Sequence, residues 1–212
     1  MDFDTTLAES WIRAVAAAVE EEEQRLTELD SAIGDGDHGS NLRRGFAAVL
    51  TALDGLEPAG PGAVLTKAGT TLISKVGGAS GPLYGKALRA VGAALSAPAD
   101  GPADAAAVGE ALAAGLWAVR ELGRAEPGDA TIVDAWTPAL AAYREALAAG
   151  AGLPGAAAAA AEGAERGALA TVPLQARKGR ASYLGPRSVG HQDPGATSTA
   201  LLFRALAEVT AG

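Results

Sequence analysis

The sequence predicts an all-α fold, an antiparallel bundle of eight helices with its functional loops at the helix junctions. Two observations carry this prediction. Apolar residues recur at helical spacing in eight successive segments, joined by short Gly- and Pro-marked connections. No segment shows strand-like alternation between hairpin turns. At 212 residues the chain is long enough to bury a substantial core. Neither a fixed-period repeat nor a Pro/Ser-rich linker divides it, so residues 1–212 are expected to form a single domain.

Each element has its own signature. Thr6 and Glu9 fit a capping box for a first helix, whose apolar face is Leu7, Trp11, Ile12, Val15 and Val19. The acidic run Glu20 to Glu23 reads as its solvated continuation. Leu42, Phe46, Val49, Leu50 and Leu53 mark a second helix, stopped near Gly55 and Pro58. A third runs through Leu65, Ala68, Leu72, Ile73 and Val76 to the Gly77-Gly78 pair. Ser80 as N-cap and Pro82 in the first turn open a fourth, with Leu83, Ala87, Ala90, Val91 and Leu95 on its face. After a loop from Pro98 to Pro102 comes a fifth, carried by Val108, Leu112, Leu116, Val119 and Leu122. A turn at Glu126-Pro127-Gly128-Asp129 leads to a sixth through Ile132, Val133, Trp136, Leu140, Tyr143 and Leu147. An alanine-rich seventh spans Pro154 to about Val172. Asp193 and Pro194 open the last, with Leu201, Leu202, Leu206 and Val209 on one face.

Composition narrows the function. The net charge of −8 argues against a nucleic-acid partner, which calls for a basic footprint. Phosphate binding stays compatible with it, because a bound metal supplies positive charge locally. The absence of cysteine excludes disulfides, thiolate catalysis and sulfur-ligated metals. The start, MDFDTTLAES, has no signal-peptide pattern, and no 18-residue run is strongly apolar. The expectation is a cytoplasmic protein with neither a membrane nor a nucleic-acid partner.

Four loops carry candidate chemistry. In LDSAIGDGDHGSNLRRG, Asp30, Asp35 and Asp37 are separated by small residues, so their carboxylates can converge on a hard cation. A plain acidic turn is the alternative; an EF-hand fails, since Phe46 stands where the bidentate glutamate belongs. All-oxygen ligands favour Mg²⁺ over zinc. His38, Gly39, Ser40 and Asn41 open the helix behind them, where free N–H groups suit an anion. Gly77 to Pro82 reads as a helix stop and start, and as a loop whose glycines and Ser80 hydroxyl let a ligand approach closely. In Gly123 to Asp134, Asp129 is a candidate cap for the sixth helix, and Ile132 belongs to the core or to a pocket wall. The fourth loop gathers Arg177, Lys178, Arg180, Tyr183 and Arg187. It is either a solvated basic loop or a flap that stabilises phosphoryl charge. His191 and Asp193 at its end orient a ligand or cap the last helix.

Together AIGDGDHGSN, GGASGPLYG, AEPGDATIVDAW and ARKGRASYLGPRSVGHQDPGATS resemble the nucleotide-binding L subunit of dihydroxyacetone kinase, from about Trp11 to Leu206. The resemblance implies an eight-helix barrel with ADP or ATP at one end. It implies that Asp30, Asp35 and Asp37 hold two Mg²⁺ ions, and that His38, Gly39, Ser40, Asn41, Ala79, Ser80, Gly123, Ile132, Arg180, Asp193, Pro194 and Gly195 contact the nucleotide. Arg180 would carry transition-state charge. The implied partners are a K-type subunit holding dihydroxyacetone and an M-type phosphotransferase-system subunit that recharges bound ADP. Other readings stay open: a subunit using free ATP on dihydroxyacetone or another small ketose, a regulatory role on a transcription regulator, and a homodimer.

Overall fold

The structure is a computed structural model describing residues 1–96 and 101–212; residues 98–100 of the loop expected between the fourth and fifth helices lie outside the described residues. Nine α-helices are described: α1 (Thr5–Glu21), α2 (Glu23–Ile33), α3 (His38–Leu53), α4 (Pro61–Lys75), α5 (Ser80–Leu95), α6 (Ala105–Gly123), α7 (Ile132–Ala148), α8 (Leu153–Leu169) and α9 (Pro194–Ala211). A 3-10 segment, Arg180–Ser188, lies between α8 and α9 and is interrupted at Gly185. Among the described residues the β structure is one isolated bridge, in which Phe3 and Ala103 exchange backbone hydrogen bonds of 2.7 and 3.0 Å.

All eight expected helices are present, and the ninth is α2. The acidic run does not continue the first helix: Glu22 leaves helical geometry and α2 starts one residue later. Its amphipathic positions, Leu26, Asp30 and Ile33, are buried. Asp30 therefore belongs to the last turn of a helix and not to a loop. Three expected caps also differ. Asp4 caps α1 by accepting from the Leu7 N–H at 2.8 Å, in place of Thr6. Ala79 holds the N-cap position of α5, with Ser80 already inside the helix. Thr131, not Asp129, caps α7 in a capping box completed by Asp134.

Neighbouring helices pack in sequence from α3 round to α9, and α1 closes the ring by touching α9, α3 and α4. The α4–α5 pair meets through Gly62, Gly69, Gly85 and Gly92, where an added Cβ would overlap the facing helix. Long aromatic side chains fill the interior, each polar tip satisfied: Trp11 Nε1 donates to Leu202 O at 2.9 Å, Trp136 Nε1 to Leu112 O at 3.2 Å, and the Tyr143 hydroxyl to Ala105 O at 2.7 Å. Trp136 meets Phe203 edge-on, with ring centroids 5.4 Å apart. Among the described residues no helix is long and apolar enough to cross a membrane.

Candidate functional site

An antiparallel ring brings every second junction to the same end. The junctions α2–α3, α4–α5, α6–α7 and α8–α9 all line one cavity of about 680 Å³. The α2–α3 side is acidic, with Asp30, Asp35, Asp37 and His38. Toward α5, α6 and α7 the wall turns apolar, with Leu83, Val119, Leu122 and Ile132. Arg177 to Tyr183 and Asp193 to Gly195 complete it.

The three carboxylates converge, each offering an oxygen within 4.8 Å of the others. Backbone geometry sets this up. Asp30 Oδ2 accepts from the N–H groups of Asp37 at 2.8 Å and His38 at 3.1 Å, folding the loop back over the end of α2. Gly34 permits it, since a Cβ there would overlap Asp30 Oδ1. Gly36 makes the turn at φ +72°, the left-handed region that favours glycine. The donor set is all oxygen and suits a hard divalent cation. From across the cavity Arg180 Nε donates to Asp35 Oδ2 at 2.9 Å.

The remaining loops are tied at their bases. Asp134 accepts from the N–H groups of Gly128 at 2.5 Å and Thr131 at 2.8 Å, shaping the α6–α7 junction. The Arg177 N–H donates to Asp129 O at 3.0 Å, which joins that junction to the basic loop. At the loop's far end Gly190 N–H donates to Val172 O at 2.7 Å. Between these anchors Tyr183 stands 88 % exposed. Asp193 caps α9 through the Ala196 N–H at 2.6 Å, and Asp30 takes the first N–H of α3, whereas the N-cap residue of α5, Ala79, offers no side-chain cap. The first N–H groups of α5 therefore face the cavity end with a positive dipole.

Burial shapes two titrating groups. It pushes the Asp193 carboxyl up to about 7, outweighing the N–H groups of Ala196 and Gly195, while the Asp134 and Asp30 carboxylates raise it further. It also lowers His38, against the pull of Asp30 and Asp37. The His38 ring is held on both sides, with Nδ1 3.0 Å from Ser80 Oγ and Nε2 2.9 Å from Ser198 Oγ.

Of the residues singled out in the sequence, Asp30, Asp35, Asp37, His38, Ala79, Ser80, Gly123, Ile132, Arg180, Asp193, Pro194 and Gly195 line the cavity. Gly39, Ser40 and Asn41 do not, because the first turn of α3 carries them off the wall. Gly39 packs on the Glu23 carbonyl, Ser40 Oγ donates to Asp37 O at 3.0 Å, and Asn41 Oδ1 accepts from Arg44. His191 is exposed and off the wall. Sequence reasoning assigned Leu83, Val119 and Leu122 to helix faces only; their place beside Gly-bearing junctions was the available signal. The T-x-x-D pattern at Thr131 and Asp134 is the local sequence signal for the cap on α7.

Comparison with known proteins places these features in context. A family model described as the DAK2 domain matches residues 32–208. The chain is 40 % identical over 207 residues to the ADP-binding subunit of PEP-dependent dihydroxyacetone kinase 1 from Listeria innocua, covering 97 % of each chain. It is equally 40 % identical to the corresponding Escherichia coli subunit, covering 98 % of each. Its fold is similar to the crystal structure of the C. freundii dihydroxyacetone kinase in complex with AMP-PNP and Mg²⁺. There the TM-score is 0.72 at 29 % identity, over 98 % of this chain and 34 % of that one.

Proposed function

Because this chain belongs to the DAK2 domain family of dihydroxyacetone kinase subunits, we propose that residues 1–212 act as one domain, the ADP- and ATP-carrying subunit of such a kinase. The observation that carries the reading is the single cavity in which three convergent carboxylates, an uncapped helix N-terminus and an apolar wall face one another. That combination suits a nucleotide, whose phosphates need cations and N–H donors and whose base needs apolar surface.

Asp30, Asp35 and Asp37 would hold two Mg²⁺ ions, which when bound neutralise charge on the phosphate oxygens. Ala79 and Ser80 at the start of α5 and Asp193 to Gly195 at the start of α9 orient the phosphates. Gly123 and Ile132 sit with Leu83 and Val119 against the base. Arg180 reaches across from the basic loop and balances negative charge on the phosphoryl group in transfer. Dihydroxyacetone is presented by a separate K-type subunit, a reading supported by the resemblance to ADP-binding subunits of multi-subunit kinases. An M-type phosphotransferase-system subunit recharges ADP in place. This chain contributes positioning and charge neutralisation.

Calorimetry with ADP, with and without Mg²⁺, tests the reading. Wild type should bind ADP in a Mg²⁺-dependent manner, and Asp35→Asn should lose that dependence with unchanged helical circular dichroism. Identical affinity in both proteins refutes the metal assignment. Native mass spectrometry of the purified chain should find ADP retained. An empty site, with many turnovers per chain on ATP and a K-type subunit alone, would refute recharging in place.

A further inference from the structure

Behind the cavity wall lies a buried hydrogen-bond circuit that joins the first turns of α3, α5 and α9. Ser80 Oγ is 3.0 Å from His38 Nδ1, and His38 Nε2 is 2.9 Å from Ser198 Oγ. Ser198 Oγ is 2.7 Å from the Tyr84 hydroxyl, which returns the circuit to α5 one turn after Ser80. Tyr84 is also 2.8 Å from Thr199 Oγ1 and 3.0 Å from Gly195 O. Ser80 and His38 line the cavity, whereas Tyr84, Ser198 and Thr199 are buried behind it.

We propose that Tyr84 and Ser198 are positioning residues that set the direction of this circuit, so that the Ser80 hydroxyl donates into the cavity to a phosphate oxygen. The inference rests on the nucleotide reading above. A phosphate oxygen only accepts, and Ser80 has one hydroxyl proton. If that proton points at His38 Nδ1, lone pairs face the anion. An anion at Ser80 therefore requires the Nδ1–H form of the ring, donating to Ser80 Oγ. Nε2 must then accept, and the Ser198 hydroxyl stands in place to donate. Ser198 has a competing acceptor in its own helix, Gly195 O at 3.1 Å. Thr199 donates to that carbonyl at 2.9 Å, and the one Tyr84 proton has two acceptors, Gly195 O at 3.0 Å and the shorter Ser198 Oγ at 2.7 Å; placed on Ser198 Oγ, it leaves the Ser198 proton for His38. In the opposite direction Ser80 donates to Nδ1, and Nε2–H faces Ser198. Without the Tyr84 hydroxyl, Ser198 is free to turn its proton to Gly195 O, and that second direction takes over.

The test pairs calorimetry with ring ¹⁵N NMR, which a chain with two histidines makes easy to assign. With Mg-ADP, His38 of the wild type should show the Nδ1–H tautomer. Tyr84→Phe and Ser198→Ala should shift it to Nε2–H and weaken Mg-ADP by about tenfold or more, while adenosine affinity is unchanged. Melting curves report folding separately, and Ser198→Ala serves if Tyr84→Phe does not fold. An Nε2–H ring in the wild-type complex, or equal losses for ADP and adenosine, overturns the proposal. Failure of wild type to bind Mg-ADP at all overturns the nucleotide reading, and this inference with it.

Discussion

Replacing Asp193 by Asn isolates the energetic burden of holding a carboxyl at the floor of an acidic cavity. Its ordinary value of 3.8 rises to about 7 in the fold, first through burial and then through Asp134 and Asp30. Between those values the unfolded chain has lost a proton that the folded chain keeps. Stability therefore falls as pH rises through this window and levels off above about 7. At 1.36 kcal/mol per tenfold, the full difference corresponds to about 4 kcal/mol. The side chain is reached by solvent from the cavity, which reduces this to about 2–3 kcal/mol. Asparagine keeps the cap on α9 and carries no charge. Urea unfolding of both proteins without nucleotide or divalent metal, at about pH 4.5 and about pH 8, measures the difference. The wild type should lose more stability than Asp193→Asn over that interval. Parallel losses would refute the reasoning, because Asp193 would then titrate as an ordinary surface carboxylate.

Three further outcomes follow from named contacts. Arg180→Ala should lower phosphoryl transfer by about 10³-fold with little loss of stability, since its ion pair with Asp35 is largely exposed. Steady-state turnover with a K-type subunit measures the first and thermal melting the second; wild-type turnover would reduce Arg180 to a cover over the site. Gly34→Ala puts a methyl group on Asp30 Oδ1 and should abolish Mg²⁺-dependent ADP binding while leaving the helices intact, as calorimetry and circular dichroism would report. Trp136→Ala removes a fully buried indole packed on Phe203 and should cost about 3–5 kcal/mol in chemical denaturation.

How much of this was legible depended on whether the information was local. The eight apolar stripes were, because each helix turns one face to the ring. The α2 helix was not. Its acidic start resembles a solvated extension of α1, and Glu22 breaks the helix without the Gly or Pro that usually marks a stop. That error moved Asp30 into a loop, although its carboxylate is aimed by the last turn of α2. The caps differ for another reason: Thr6 and Asp129 are chemically suitable, but Asp4 with the Leu7 N–H and Thr131 in its box with Asp134 make the cap bonds, through equally local contacts a few residues away. Motif spacing found most of the cavity wall, but three residues of the α3 motif turn away from it, since helical rotation decides which of four consecutive residues faces a ligand.

The Arg180–Asp35 pair links these points. Arg180 was singled out as a partner for phosphoryl charge, and Asp35 as a ligand for a metal. In the fold they meet each other at 2.9 Å, across a junction that neither motif spans in sequence. A cation entering the carboxylate cluster competes with the guanidinium for the same oxygen, and each metal charge added there weakens the hold on Arg180. Gly179 and Gly185, both at positive φ with open space around them, flank the segment that carries the arginine. On the proposed reading, a cation at the acidic end and the Arg180 guanidinium would compete for one Asp35 oxygen, so that occupation of that end would free Arg180 for a phosphate.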